Sequence, residues 1–282
     1  MSGIGAIALG VAVLLAGNLP WAALLAPLNL RVGPSVPWSV APMAAYLWLY
    51  WKFVTADDGS RPDGAWRRDY ARANRISSAT WQVALLTGVA GFAALIAFVR
   101  VMARLVILPA STPIIMPAGM SPVSMFTLLI MGSVVAGVTE EVAFRGYMQT
   151  PLERRYGLPA AILICGIAFG LLHFPNHPRH VMVMLPYYIA VTAVYAGITS
   201  AANSIRPAVV LHVLGDVWSL TRLWVTGAPE WQAATPSEQI WQTGADRDFV
   251  VALVALVALS ALTAWLAMQT RTRARRHATQ AD

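Results

Sequence analysis

The stretch GVTEEVAFRGY at residues 137–147 ends a long apolar run that begins at residue 122. It places Glu140, Glu141 and Arg145 where a membrane-spanning helix would present apolar side chains to lipid. Ionisable groups at membrane depth are costly, so they face the interior of a protein and point to a function. This stretch therefore predicts a transmembrane helix that turns a polar side toward other helices.

The composition of the whole chain supports a membrane protein. Of its 282 residues, 57% are hydrophobic and 12% are charged, and the mean hydropathy is +0.59. A soluble domain has about 25% charged residues. The single cysteine, Cys165, excludes a disulfide framework. We therefore expect an all-α, polytopic membrane protein with a polar cavity inside the membrane.

Apolar runs of about 20 residues are long enough to cross a membrane as helices. About eight runs qualify by length and composition, and the second and the fifth are short. They are residues 3–28, 38–54, 80–107, 122–148, 159–174, 180–200, 205–226 and 248–269. The chain is thus expected to form about eight transmembrane helices.

A proline-rich segment, LPASTPIIMPAGMSP at residues 108–122, separates the third and fourth runs. Proline is a strong marker of loops and boundaries. We expect an N-terminal group of helices at residues 1–119 and a catalytic core at residues 120–227. Residues 228–282 would then form an outer loop, a last transmembrane helix and a basic tail.

Basic residues exceed acidic ones, with a formal net charge of +7. They concentrate in three segments outside the apolar runs, at residues 60–75, 154–155 and 271–276. With eight spans, these segments and both termini fall on one side of the membrane. Because cytoplasmic loops are rich in Arg and Lys, we expect that side to be cytoplasmic, in a bacterial plasma membrane. Arg100 and Arg104, near the opposite end of the third run, are expected to snorkel outward.

This distribution of charge excludes one class of partner. The basic residues follow the membrane topology instead of forming a patch of the kind that binds nucleic acid. A lipid bilayer is therefore an expected partner, and nucleic acid is not.

His173, His212 and Asp216 are further candidate residues that lie in or at the end of apolar runs. A spacing of four residues lets Glu141 pair with Arg145 and puts His212 beside Asp216 on one helix face. In an α-helix, Glu140 points about 100° away from Glu141. One carboxylate is then neutralised by a cation, while the other is available for chemistry.

Carboxylates and imidazoles that converge in a membrane pocket fit the hydrolysis of a peptide bond. A carboxylate near a histidine can hold and deprotonate water, and a second histidine can stabilise an oxyanion. Equally, Glu140, His173 and His212 could ligate zinc and leave one position for water. The H-E-x-x-H signature of zinc proteases is absent. These residues leave both a zinc and a metal-free mechanism open.

Two other classes of function fit the same side chains. A proton-coupled transporter would use Glu140, His173, His212 and Asp216 as a relay. The sequence shows no inverted repeat and no pair of broken helices that would support a transporter. A non-catalytic membrane scaffold would keep these residues only as braces between helices.

The motifs EEVAFRG (140–146), FGLLH (169–173) and HVLGD (212–216) follow one another on separate apolar runs. They resemble the E-E-x-x-x-R, F-x-x-x-H and H-x-x-x-N motifs of the CPBP intramembrane proteases. This family includes the CAAX prenyl (Rce1-like) and bacteriocin-processing proteases and is also called the Abi family. The resemblance covers about residues 120–227. It implies an intramembrane endopeptidase of metallo- or glutamate type that cuts a peptide or membrane protein, prenylated or not.

The resemblance also implies roles for the candidate catalytic residues. Glu140 and His173 would activate the water. His212 would stabilise the oxyanion together with the last residue of the third motif. The pair that completes the first motif, Glu141 and Arg145, would brace the site.

Position 216 departs from the family pattern, because Asp stands where the prenyl-protease branch has Asn. An ionised carboxylate cannot donate a hydrogen bond to an oxyanion, whereas an amide can. Asp216 must therefore be protonated, orient His212 or help hold a metal.

Overall fold

The computed structural model describes residues 1–56, 64–109, 114–173, 181–228 and 238–281. These residues are helical or irregular and contain no strand, which confirms the predicted all-α class. The α-helices are α1 (Gly3–Leu19), α2 (Ala26–Val32), α3 (Val40–Thr55), α4 (Gly64–Ala71), α5 (Ser78–Leu105), α6 (Pro122–Glu140), α7 (Gln149–Tyr156), α8 (Leu158–Leu172), α9 (Val181–Ala202), α10 (Arg206–Thr226), α11 (Ile240–Thr243) and α12 (Arg247–Ala281).

Two stretches of π-helix connect α-helices without a break in direction. Pro20–Leu25 joins α1 to α2, and Glu141–Met148 joins α6 to α7. The first begins at a proline, whose ring and missing N–H disturb the regular bonding of an α-helix. The second contains no proline, and all its residues are buried. Short π-helical turns are frequent at functional sites, so the second stretch is a candidate site.

Six helical stretches in the described part of the chain are long and apolar enough to cross a membrane. They are Gly3–Val32, Ser78–Leu105, Pro122–Tyr156, Met182–Ala202, Arg206–Thr226 and Arg247–Arg276. The second and fifth predicted spans correspond to α3 and α8, which have 16 and 15 residues. Such helices are only about 24 Å and 22 Å long, whereas the hydrocarbon core is about 30 Å thick. The structure thus supports an integral membrane protein but does not confirm the count of eight.

Helix α1 runs antiparallel to the helical stretch that carries the polar motif. Gly3 lies against Tyr156 at one end of α1, and Gly17 lies against Thr139 near the other end. A Cβ atom on Gly17 would lie 2.5 Å from Thr139 Cγ2 and 2.9 Å from Tyr50 Cζ. The two backbones can approach this closely only because position 17 has no side chain.

The other helices enclose the motif from the remaining sides. Helix α10 packs along α6, α8 packs along α9, and α12 packs along both α5 and α9. A hydrogen bond between the hydroxyls of Thr87 and Thr270, 3.2 Å long, joins α5 to α12. The stretch from α6 to α7 therefore lies between α1 and α10 in the interior of the fold.

The described parts of the arginine-rich segments meet at one end of the helices. Residues 60–63 of the first segment lie outside the described residues. Arg72 pairs with Glu153 at 2.7 Å, and Arg75 and Arg271 line one cavity. The first turn of α1 and the basic turns of α12 lie at this end as well. Both ends of the described chain are thus on the side where the arginines collect.

Arg104 lies at the opposite end and is not a snorkelling side chain. It is 8% exposed, and its guanidinium donates to the Asp246 carboxylate, to Thr243 Oγ1 at 3.0 Å and to Gly244 O at 3.2 Å. The loop before α12 brings acceptors to Arg104, so this side chain does not reach outward as expected, whereas Arg100 is exposed as expected. The hydrogen bond from Arg104 lowers the pKa of Asp246 below its ordinary value.

Substitution of Gly17 by alanine should destabilise the protein, because the new Cβ atom would overlap Thr139. Overpacking of this kind costs about 1–3 kcal/mol. Gly197→Ala is the matched control, since a Cβ there meets nothing within 4 Å. We expect thermal unfolding in detergent to occur several degrees lower for Gly17→Ala than for Gly197→Ala. Equal melting temperatures would contradict the close packing of α1.

Candidate active site

His212 on α10 lies at the centre of a cluster of carboxylates. Its Nδ1 is 2.8 Å from Glu141 Oε1. Its Nε2 is 3.7 Å from Glu140 Oε2 and 3.6 Å from Asp216 Oδ2. The ring therefore has one nitrogen in a direct hydrogen bond and the other between two further acidic groups. Since a carboxylate accepts, His212 Nδ1–H donates to Glu141.

The cluster has a closed side and an open side. The side chains of Glu141 and Arg145 are each 1% exposed, and that of His212 is 7% exposed. The side chains of Glu140 and Asp216 are 16% and 33% exposed. A water molecule or a peptide can therefore approach His212 Nε2 from the side of Glu140 and Asp216.

Arg145 provides the positive charge of the closed side. Its Nε lies 3.4 Å from Glu141 Oε2, four residues earlier on the same helical stretch. Its guanidinium lies 5.9, 5.8 and 5.6 Å from the ring centres of Phe144, Phe169 and Tyr195. Aromatic faces attract a desolvated cation, so this surrounding is favourable for a buried guanidinium. Arg145 thus neutralises Glu141 inside the protein.

The motif is partly π-helical, whereas its sequence predicts a regular α-helix. An α-helical turn predicts that Glu140 and Glu141 point in directions about 100° apart. Glu141 is instead the first residue of a π-helical stretch, in which each turn contains more residues. The two carboxylates nevertheless lie against the two different nitrogens of one imidazole ring.

Gly137 allows α6 to approach α10 closely enough for these contacts. A Cβ atom on Gly137 would lie 2.6 Å from Val213 Cγ2 and 3.0 Å from the Val213 backbone nitrogen. Val213 follows His212, so the close approach occurs beside the cluster itself. The glycine at the start of the quoted stretch is therefore a packing requirement of the site.

His173 follows the last residue of α8, and its hydrogen bond determines its tautomer. The ring Nδ1 lies 2.8 Å from Phe169 O, four residues earlier. A carbonyl oxygen only accepts, so Nδ1 carries the proton and Nε2 is the acceptor. The ring lies against Phe169 and Tyr188, with centre-to-centre distances of 4.5 and 4.7 Å. Among the described residues, the contacts of this ring are therefore with Phe169 and Tyr188.

Two tyrosines on α9 belong to the site and were not predicted from the sequence. The ring of Tyr195 stacks on His212 with centres 5.0 Å apart and planes 13° apart. The ring of Tyr188 stacks on His173 in a similar way. The two tyrosines are seven residues apart, a spacing that puts them on one helix face. That spacing is the signal by which the sequence could have revealed them.

A row of polar side chains extends from the cluster toward the arginine-rich end. This polar stripe consists of Glu141, Arg145, Gln149 and Glu153. Gln149 Nε2 donates to Ala196 O at 3.2 Å and to Glu153 Oε2 at 3.1 Å. Glu153 also accepts from Ser200 Oγ at 2.6 Å and from Arg72. The spacing of four residues could have revealed the stripe, but its partners come from distant parts of the chain.

The zinc alternative finds no support in the arrangement of side chains. Among the described residues, no group of three or more His, Cys, Asp or Glu side chains could hold a metal ion. His212 Nδ1 is held by Glu141.

Comparison with known proteins identifies a family over the part of the chain that contains these residues. Residues 122–218 match the family described as type II CAAX prenyl endopeptidase Rce1-like. The matched segment is about a third of the chain and contains the six candidate residues. No curated protein and no solved structure matches the chain. The resemblance to the CAAX protease family is confirmed, and it indicates a membrane peptidase.

Removal of the buried guanidinium should destabilise the fold. In Arg145→Met, the buried Glu141 carboxylate would lose the guanidinium 3.4 Å away. Breaking a buried ion pair in this way costs about 3–5 kcal/mol. Arg155→Met is the control, because Arg155 is exposed at the end of α7. We expect thermal unfolding in detergent to show a large loss for Arg145→Met alone. Unchanged melting of Arg145→Met would show that Glu141 does not need this cation.

Proposed function

We propose that the chain is an intramembrane endopeptidase that cleaves a peptide bond with a water molecule activated by Glu140 and His173. The family match supports the class of peptidase. One observation carries the proposed roles: His212 Nε2 faces Glu140 and Asp216 on the open side, while Nδ1 is held by Glu141. Water, acid–base groups and substrate can therefore meet at one exposed edge of a buried cluster.

In the proposed mechanism, the attack on the substrate begins with a water molecule that contacts both Glu140 and His173. The Nε2 atom of His173 is an acceptor, because Nδ1–H donates to Phe169 O. A water that donates one hydrogen to this nitrogen can donate the other to the Glu140 carboxylate. Glu140 takes a proton as the water oxygen bonds to the scissile carbonyl carbon, whose oxygen becomes an oxyanion.

His212 stabilises that oxyanion. Carboxylates on both sides of its ring favour a proton on each nitrogen, and Nε2–H can then donate to the oxyanion. The hydrogen bond from Nδ1–H to Glu141 holds the ring in place, and Tyr195 packs on its face. In this account Asp216 does not contact the oxyanion; its charge helps to keep the second proton on His212.

The intermediate then collapses without any other reagent. The carbonyl re-forms, the bond between carbon and nitrogen breaks, and the proton held by Glu140 passes to the leaving nitrogen. The second proton of the water, left on the new carboxylic acid, also passes to the amine. The products are therefore one peptide with a new carboxylate and one with a new ammonium group. One water is consumed, so atoms and charge balance.

The membrane setting follows from the distribution of charge. The arginine-rich end faces the cytoplasm of a bacterial cell, because positive residues are retained on that side. The substrate is a peptide or a segment of a membrane protein that enters from the open side of the cluster. The family description makes a prenylated C-terminal peptide the first substrate to test.

Glu140→Gln should abolish cleavage, because an amide cannot accept the proton of water. Loss of general-base catalysis reduces the rate by about 10²–10⁴-fold. The assay uses purified protein with an internally quenched, farnesylated peptide ending in a CAAX sequence, and with its unprenylated counterpart. Glu238→Gln, in the outer loop, is the matched control and should keep full activity.

Two results would contradict this proposal. Full cleavage by Glu140→Gln would exclude Glu140 as the base. Proton uptake into proteoliposomes that is lost in Glu140→Gln, with no cleavage of any peptide by the wild type, would instead support the relay of a transporter.

Asp216→Asn tests the role of the residue that departs from the family pattern. If the charge of Asp216 supports His212, the amide should lower kcat at least about tenfold, which is about 1.4 kcal/mol. KM should change little, because Asp216 acts on the transition state in this account. A variant as fast as the wild type would mean that position 216 does not act through its charge.

A further inference from the structure

A second cavity lies at the arginine-rich end, away from the catalytic cluster. It has a volume of about 640 Å³. We call it the arginine cavity; the residues that matter here are Arg72, Arg75, Glu153, Ser200, Arg271 and Arg275. They come from the segment before α5, from α7, from the end of α9 and from α12. The mechanism above uses none of the arginines in this cavity.

The arginine cavity has an excess of positive charge. Of the described residues that line the cavity, Glu153 is the acidic one. Its carboxylate already accepts hydrogen bonds from Arg72 at 2.7 Å and from Ser200 at 2.6 Å. Arg75 and Arg271 make no hydrogen bond or ion pair with described residues. An anion in the cavity would therefore meet guanidinium groups whose charge is not already neutralised.

The start of α5 adds to this preference for an anion. Ile76 and Thr80 line the cavity, so the first turn of a 28-residue helix opens into it. The N-terminus of a helix carries a partial positive charge and favours phosphate. The C-terminal end of α9 also reaches the cavity and carries a partial negative charge. Asn203 O at this end already accepts a hydrogen bond from Asn74 at 2.8 Å, which partly satisfies it. The cavity thus favours a phosphate-sized anion.

An apolar groove of about 400 Å³ lies between the same helices, deeper along the bundle. It is lined by residues of α5, α9 and α12, among them Leu95, Phe98, Val194, Gly197, Leu256 and Ala267. Gly197 is one turn from Ser200, and Ala267 is one turn from Arg271. The groove therefore continues from the arginine cavity toward the centre of the membrane-spanning helices.

We propose that the arginine cavity binds the phosphate of an anionic phospholipid whose acyl chain lies in this apolar groove. Guanidinium groups pair well with phosphate, and basic pockets between transmembrane helices hold anionic headgroups. The groove distinguishes a lipid from free phosphate, because only a lipid has a chain to bury there. Arg75 precedes one candidate span and Arg271 lies in the last turns of another, so the cavity is at headgroup depth.

The test measures lipid binding to the full-length protein in detergent. Dioleoyl-phosphatidylglycerol is added, and binding is followed by native mass spectrometry and by the shift in melting temperature. Dioleoyl-phosphatidylcholine tests the need for net negative charge. Glycerol phosphate, which has the anion but no chains, tests the contribution of the groove.

We expect phosphatidylglycerol to bind and raise the melting temperature, and the other two compounds to do neither. Arg75→Gln with Arg271→Gln should weaken binding of phosphatidylglycerol roughly tenfold or more. Arg155→Gln with Arg273→Gln makes the same change in net charge on residues outside the cavity, and should bind as the wild type does. Gly197→Leu should also weaken binding, because a side chain there meets no protein atom and would project into open space.

Three results would overturn the proposal. Equal binding by the two double variants would show that only overall charge matters. A full effect of glycerol phosphate would show a site for free phosphate. Unchanged lipid binding in Arg75→Gln with Arg271→Gln, together with a raised KM for the peptide, would assign the cavity to the substrate.

Discussion

A carboxylate inside a membrane protein is stable only where cations and hydrogen-bond donors surround it. Glu141 meets this condition through Arg145 Nε at 3.4 Å and His212 Nδ1 at 2.8 Å. These contacts join the helical stretch of the motif to α10, and the aromatic ring of Tyr195 adds α9 to the same unit. The positions of these helices therefore depend on one buried ionic group.

The hydrogen bond between Glu141 and His212 also distinguishes a carboxylate with a structural role from those proposed to take part in catalysis. Because Glu141 occupies one nitrogen of His212, the other nitrogen faces the open side, where Glu140 and Asp216 lie. Two neighbouring residues of the chain thus have different surroundings, one closed and compensated and the other accessible. In the mechanism that we propose, this division lets Glu140 exchange a proton while the helices around it stay fixed.

Much of this arrangement could be predicted from the sequence, and the remainder has physical reasons. Apolar run length predicts the all-α membrane class, and the spacing of four residues predicts the pairing of Glu141 with Arg145. Run length also indicates that the second and fifth spans, which correspond to α3 and α8, are short. The π-helical geometry at Glu141 and the stacking of Tyr195 depend on packing between helices, to which local spacing gives no access. Contacts such as Ser200 with Glu153 join residues far apart in the chain, and no periodicity indicates them.

We propose that Glu141 stabilises the packing of the helices and that its neighbour Glu140 acts in catalysis. Thermal unfolding of purified Glu141→Gln beside Glu140→Gln tests it directly, since both variants remove one negative charge from adjacent positions. We expect Glu141→Gln to melt well below the wild type, because Arg145 is left buried without its partner. Glu140→Gln, on the open side, should melt close to the wild type. Equal melting temperatures for the two variants, or a greater loss for Glu140→Gln, would contradict the account.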